Sequence, residues 1–264
     1  MRRRAFLRAG GLVATGAALT GSAAFLSGEA EAGGTPRAFV GIQEPLPADA
    51  AGASSTKVIW RVETDRKLIA LTLDDGPVPD YTTRFLDMLQ DKNVRATFCL
   101  IGRHALAHPD LVARQRSLGH ELENHSETHA DLGKASVAAA TREVVRGAQI
   151  VEQVSGRRPQ FFRPPRGMVS GAALAAAGRV HADVLMWSLQ LHEPTMTVQQ
   201  NVDHVLTNIA PGTILLAHDA RHRSIDRRIG LAALPVIIDG LRDRGYEFVT
   251  MSELVAAGRS PQSA

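Results

Sequence analysis

Cysteine is nearly absent. The 264-residue chain carries one, Cys99, so no disulfide can form within it. That residue sits in the apolar run Ala96-Thr97-Phe98-Cys99-Leu100-Ile101 and reads as a buried structural thiol. A surplus of one charge sign is also lacking. The formal net charge is +3, and residues 1–32 hold four arginines against two glutamates, so the remainder carries only +1. So small a surplus argues against a nucleic-acid partner. After the N-terminal segment, no apolar run is long enough to span a bilayer, and no internal repeat is evident. What is present is ordinary for a globular protein, with 44% hydrophobic and 22% charged residues. The length suits one large α/β domain or two small ones.

Residues 1–32 read as a targeting segment. Arg3-Arg4-Ala5-Phe6-Leu7-Arg8 precedes a stretch rich in Ala, Gly and Leu, and Ala30-Glu31-Ala32 supplies a small-x-small cleavage pattern. Paired arginines, Phe-Leu and a further base resemble a bacterial twin-arginine export signal, which implies a secreted or envelope-associated protein. A retained anchor is the other reading of the same stretch. No cysteine follows it, so a lipoprotein anchor is not supported. Residues 33–57, rich in Gly, Ala, Pro and Ser, read as a linker or an N-terminal wrap. The folded domain, 58–264, is expected to begin near Val58-Ile59-Trp60.

The most informative stretch is Leu71-Thr72-Leu73-Asp74-Asp75-Gly76-Pro77. Two neighbouring carboxylates close an apolar, β-prone run, and a turn follows at once. Desolvating both inside a strand without partners is costly, so the pair belongs where the strand ends. In α/β folds, that is the edge that carries chemistry.

Around this pair, strand-like and helical patterns alternate. Strand-like runs fall at Arg95–Ile101, His120–Asn124, Gln160–Phe162, Val184–Trp187, Thr213–Ala217 and Tyr246–Thr250. Helical patterns cover Thr82–Lys92, a segment opening at Pro109-Asp110, Ser136–Val154, Ala172–Ala177, Val198–Ile209 and Leu231–Arg244. In the longest, Val144, Val145, Ala148 and Val151 share one face. Roughly seven βα repeats argue for a parallel barrel or a doubly wound sheet.

The ends of these runs hold the groups that could meet the Asp pair. His125 and His129 are spaced i, i+4, so on a helical turn both imidazoles reach one ion. Ten histidines in the chain also produce such spacing by chance. Arg163 opens Arg163-Pro164-Pro165-Arg166-Gly167, a stiff turn; it has the reach to pair with a carboxylate and reads equally as a solvated loop residue. His218 closes an apolar strand, either as a satisfied core histidine or as a proton donor opposite Asp74.

Taken together these motifs resemble the polysaccharide deacetylases, carbohydrate esterase family 4, over about residues 66–255. They are Thr72-Leu73-Asp74-Asp75-Gly76, His125-Ser126-Glu127-Thr128-His129, Arg163-Pro164-Pro165-Arg166-Gly167 and Leu216-Ala217-His218, in family order. The resemblance implies an irregular (β/α) barrel of about seven parallel strands. It implies Asp74 as general base, with Asp75, His125 and His129 holding a divalent metal, usually zinc. Arg163 would orient Asp74 and His218 would be the general acid. Leu216 would line the acetyl-methyl pocket with Pro165 and Arg166 beside the substrate, and a backbone N–H near Arg166 would help hold the oxyanion. The implied substrate is an acetylated polysaccharide, N-acetylated peptidoglycan or chitin-like polymer, acted on by a monomer. An O-acetyl esterase of the xylan type and a non-catalytic glycan-binding protein are the alternatives.

One motif departs. The family's Asp-x-x-Asp-Trp falls on Gln190-Leu191-His192-Glu193-Pro194. Glu193 would replace the carboxylate that partners the acid histidine, with one methylene of slack. Pro194 and Arg166 stand where aromatics usually stack on a sugar. Arg166 could therefore favour an anionic acceptor through paired hydrogen bonds. His192 reads as a surface or groove residue.

Overall fold

The computed structural model describes residues 55–193, 195–220 and 227–258. The targeting segment 1–32, nearly all of 33–57 and Pro194 lie outside them.

In chain order, the elements are β1 (Val58–Ile59), β2 (Leu68–Asp74), α1 (Pro79–Asp91), β3 (Thr97–Leu100), α2 (Gly102–Ala107), α3 (Pro109–Ser117), β4 (Glu121–Asn124), α4 (Val137–Ser155) and β5 (Phe161–Phe162). There follow a 3-10 turn at Pro165–Gly167, α5 (Gly171–Arg179), β6 (Asp183–Leu185), β7 (Leu189–Gln190), α6 (Val198–Asn208), β8 (Ile214–His218), α7 (Arg228–Asp243), β9 (Glu247–Val249) and α8 (Met251–Ala257). All strand pairings are parallel, in the order β1-β6-β5-β4-β3-β2-β8-β7, and β9 joins the first half of β2. This is the irregular (β/α) barrel. Nine strands replace the expected seven or so, because β1 and β7 are two residues each and carry no periodicity to detect. β6 and β7 belong to one extended stretch. It pairs with β5 and β1 first, then with β8 a few residues later.

Alternation along β2 decides where its polar residues point. Ile69, Leu71 and Leu73 face the helices and join the main core with Phe85, Leu89, Ile237 and Leu241. Leu68 and Ala70 face inward and meet Met251 and Leu254 of α8. Thr72 and Asp74 continue that inward face. Helix α8 was not foreseen; it closes the bottom of the barrel. Its first turn is capped by Thr250 and by Glu121, whose carboxylate accepts from Ser252 N–H at 3.1 Å.

Helix ends follow local chemistry. Ser136 caps α4 by accepting from Ala139 N–H at 3.2 Å, and Gly156 ends it in the left-handed region. The buried face of α4 holds Val144, Ala148 and Val151, whereas Val145 is half-buried. Among the described residues no helix is long and apolar enough to cross a membrane.

Parallel pairing puts all strand C-termini on one edge. Asp74 is level with Cys99 on one side and His218 on the other, Cys99 with Glu123, and Asn124 with Phe162. The residues just after those positions therefore gather around one mouth.

Candidate active site

That mouth holds a cleft of about 450 Å³, lined by Asp74, Asp75, His125, His129, Leu216 and His218 together with Arg166, Trp187, Glu193 and Arg227.

Asp74 is 3% exposed and its partner Arg163 is fully buried. Arg163 Nη1 donates to Asp74 Oδ1 at 2.8 Å and to Thr72 Oγ1 at 2.9 Å. Its Nε donates to Leu185 O at 3.2 Å and Nη2 to Met186 O at 3.0 Å. The guanidinium is thus fixed by the barrel interior, and its charge faces Asp74. Its carbon also lies 5.8 Å from the centre of the Trp187 ring.

Asp75 leaves the strand in the left-handed region, at φ 81. Its carbonyl accepts from His104 Nδ1 at 2.8 Å, and burial lowers the pKa of His104. Asp219 fastens the same turn. Its N–H donates to Asp74 O at 3.1 Å, and its carboxylate accepts from Gly76 N–H at 3.2 Å and Thr82 Oγ1 at 2.6 Å. Complete burial pushes the Asp219 pKa up to about 7.

His125 and His129 do not lie on a helical turn. The chain from 125 to 130 is irregular, with Ser126 at φ 68 and His129 at φ 63. Asn124 shapes it: Nδ2 donates to Val144 O at 2.9 Å, and Oδ1 accepts from Ser126 N–H at 3.0 Å. Local spacing predicted a helix, but the bond to Val144 of α4 and the local one to Ser126 hold a loop. The two imidazoles converge all the same, with ring centres 5.0 Å apart.

One ligand atom each from Asp75, His125 and His129 lies within 4.8 Å of the others. Asp75 Oδ1 is 3.6 Å from His125 Nε2 and 3.4 Å from His129 Nε2. His125 Nδ1 donates to Arg163 O at 2.7 Å, which leaves Nε2 as the ligand atom. Burial alone would lower the pKa of His125, yet Asp74 and Asp75 outweigh it and raise it. Burial likewise opposes charge on Asp75, and His125 more than offsets it, holding that carboxylate well below the usual range. The cluster favours positive charge at this point, and its three donors suit a divalent cation.

Opposite stands His218. Its Nδ1 lies 3.4 Å from Glu193 Oε2, close enough for charge attraction and without a formed hydrogen bond. Gly230 makes room for the longer glutamate, since a Cβ there would collide with Glu193 Oε1. Glu193 also pairs with Arg227, which reaches Asp75 Oδ2 at 3.3 Å.

The remaining expected residues divide. Leu216 lines the cleft. Pro165 is buried in the 3-10 turn and is not among the lining residues. Arg166 lines the cleft at φ 58, paired with Asp131 Oδ2 at 3.2 Å. Gln190 and His192 both line it as well. Three contributors were missed. Trp187 gives the cleft an aromatic wall. Asp219 was visible beside His218, but nothing in the sequence linked it to Gly76. Arg227 sits in an arginine-rich stretch with no distinguishing signal.

The family profile described as polysaccharide deacetylase matches residues 61–184. A peptidoglycan-N-acetylglucosamine deacetylase of Bacillus cereus is 34% identical over 201 residues, 75% of this chain and 92% of that protein. The chain belongs to the polysaccharide deacetylase family. A bifunctional xylanase/deacetylase of Pseudobutyrivibrio xylanivorans is 37% identical over 72% of this chain but only 31% of its own length. The peptidoglycan-N-acetylmuramic acid deacetylase PdaC of Bacillus subtilis is 34% identical over 73% of this chain and 40% of its own. Among solved structures, the peptidoglycan N-acetylglucosamine deacetylase Bc1960 superposes with a TM-score of 0.71 at 26% identity, covering 81% of this chain and 99% of that one. As a polysaccharide deacetylase, the chain is a hydrolase that acts on acetylated polysaccharide.

Proposed function

We propose that this deacetylase removes N-acetyl groups from N-acetylglucosamine-containing polysaccharide of the cell envelope or surroundings, with zinc held by Asp75, His125 and His129. The observation that carries the reading is the pairing of that donor cluster with an arginine-held carboxylate, Asp74, and an imidazole, His218, across one cleft. A divalent cation there supplies Lewis acidity, polarising an acyl oxygen and making water more acidic.

The chain's own residues do the rest. Asp74 takes the proton of the attacking water through Oδ2, since Oδ1 is held by Arg163. Backbone N–H near Arg166 stabilises the developing oxyanion. Leu216 shapes an apolar wall for the acetyl methyl. His218 keeps Nδ1 toward Glu193, so Nε2 is the atom that protonates the leaving nitrogen. Trp187 offers a sugar ring the stacking face. The pairing of Arg166 with Asp131 leaves less of its charge for an anionic acceptor.

In this reading residues 1–32 direct export by a twin-arginine route, 33–57 link, and 58–264 act as a secreted or envelope-associated monomer. The test is acetate release from chitooligosaccharides, peptidoglycan and acetylated xylan, with chelator and with added zinc. Amide substrates should be hydrolysed, with activity lost to chelator and restored by zinc. Release from xylan esters alone, insensitive to His218→Ala, would instead mark an O-acetyl esterase.

A further inference from the structure

Each of the adjacent carboxylates has an arginine of its own. Arg163 takes Asp74, and Arg227 takes Asp75. Arg227 is 3% exposed, and all three of its nitrogens are committed. Nε donates to Ala220 O at 2.9 Å, Nη1 donates to Glu193 Oε2, and Nη2 donates to Asp75 Oδ2 at 3.3 Å.

The two oxygens of Asp75 are thereby divided. Oδ1 faces the Nε2 atoms of His125 and His129. Oδ2 faces the guanidinium. We propose that Arg227 is a positioning residue that leaves the cation a single oxygen of Asp75 while its other arm holds Glu193 against His218. This rests on Asp75, His125 and His129 being the cation's donors.

The reason for such a residue lies in carboxylate chemistry. A carboxylate can engage a cation through one oxygen or through both, and a catalytic site must keep positions open for water and substrate. A charge-assisted bond to Oδ2 withholds that oxygen. The arrangement has a cost, because a guanidinium repels a divalent cation nearby. The site therefore gives up affinity to stay open. By holding Glu193 as well, the same side chain ties the metal side of the cleft to the acid side. The other basic groups beside these carboxylates are imidazoles, His125 and His129 at Asp75 and His218 at Glu193.

The test uses the full chain and Arg227→Met and Arg227→Lys, with thermal unfolding as the check on folding. Zn(II) and Co(II) affinities are read against a chromophoric chelator, together with the visible absorption of the Co(II) protein. Arg227→Met should bind both ions about three- to ten-fold more tightly, the sign required when a positive charge beside a cation is removed. Its Co(II) absorption should shift, and kcat should fall about ten-fold with KM held. Arg227→Lys keeps the charge but not the fork, so affinity should stay near that of the wild type while the absorption shifts. A folded Arg227→Met that binds Co(II) more weakly, or with unchanged absorption, overturns the proposal. If that variant fails to fold, unchanged absorption in Arg227→Lys does the same. A wild-type protein that takes up Co(II) through His125 yet releases no acetate defeats the deacetylating reading alone, because affinity and absorption still judge Arg227.

Discussion

Arg163 concentrates the physics of this site in one side chain. It is fully buried and makes four hydrogen bonds, of which one is to a carboxylate. Removing one partner of a buried pair strands the other charge, which typically costs about 3–5 kcal/mol. Arg163→Met should therefore lower the urea unfolding free energy by that order and cut acetate release about 100-fold or more. Adding Asp74→Leu to that variant should return much of the stability and none of the activity, because the unpaired charge is gone. Asp74 and Asp75 were legible in the sequence because they close an apolar strand, where two carboxylates are costly without partners, whereas His218, which also reads as a core histidine, was singled out by its motif. Arg163 was legible only through its motif. Arg227 was not legible, since its partners lie 34 and 152 positions away and nothing in an arginine-rich stretch marks one member for burial.

Among the elements, the 3-10 turn at Pro165–Gly167 carries one wall of the cleft. Gly167 has φ 67, and a Cβ there would lie 2.7 Å from Cη2 of Trp187. Gly167→Ala should cost about 1–2 kcal/mol from the left-handed backbone alone and push Trp187 from its place. A lower melting temperature, altered tryptophan fluorescence and a raised KM would show it; unchanged fluorescence would mean that the turn yields instead of the ring. Long elements such as α4 and α7 were readable because their periodicity repeats over several turns. The loop from 125 to 130 was not. Its spacing fits a helix, but Asn124 ties it to Val144 of α4, a tertiary contact that local pattern cannot contain. Short β1 and β7 escaped for the opposite reason, being too brief to have a pattern.

For the whole molecule, alternation of βα units left a parallel barrel and a doubly wound sheet both open, and the family resemblance implied the barrel; parallel pairing then brings residues from 74 to 218 to one edge. The opposite end of the barrel sets the response to acid. His120 is 7% exposed and accepts from Ala96 N–H through Nδ1 at 3.1 Å. Burial, aided by the charge of Arg95, pushes its pKa down to about 4. The folded state therefore binds fewer protons than the unfolded chain between about pH 4 and the ordinary histidine value near 6.5. Stability contributed by neutral His120 is present above that window and is lost as pH falls through it. Between pH 7 and 5 the wild type should lose about 2 kcal/mol more than His120→Asn, which keeps an acceptor for Ala96 but cannot titrate. Equal losses in urea titrations of the two proteins would remove His120 from the account.

The solitary thiol has a use that its burial makes possible. Cys99 is fully buried, level with Asp74 across the β2–β3 pairing, and burial raises its pKa well above the ordinary value. A thiol reagent can modify it only during moments when these strands part. Its labelling rate under native conditions is thus a clock for the opening of the strand that bears the reactive carboxylates. Loading the site with zinc should slow that clock by a factor of 1 + [Zn]/Kd, its logarithm following the free energy of binding, and Arg163→Met should quicken it. The chain needs no engineered probe for this measurement, because every other position in it is blind to the reagent.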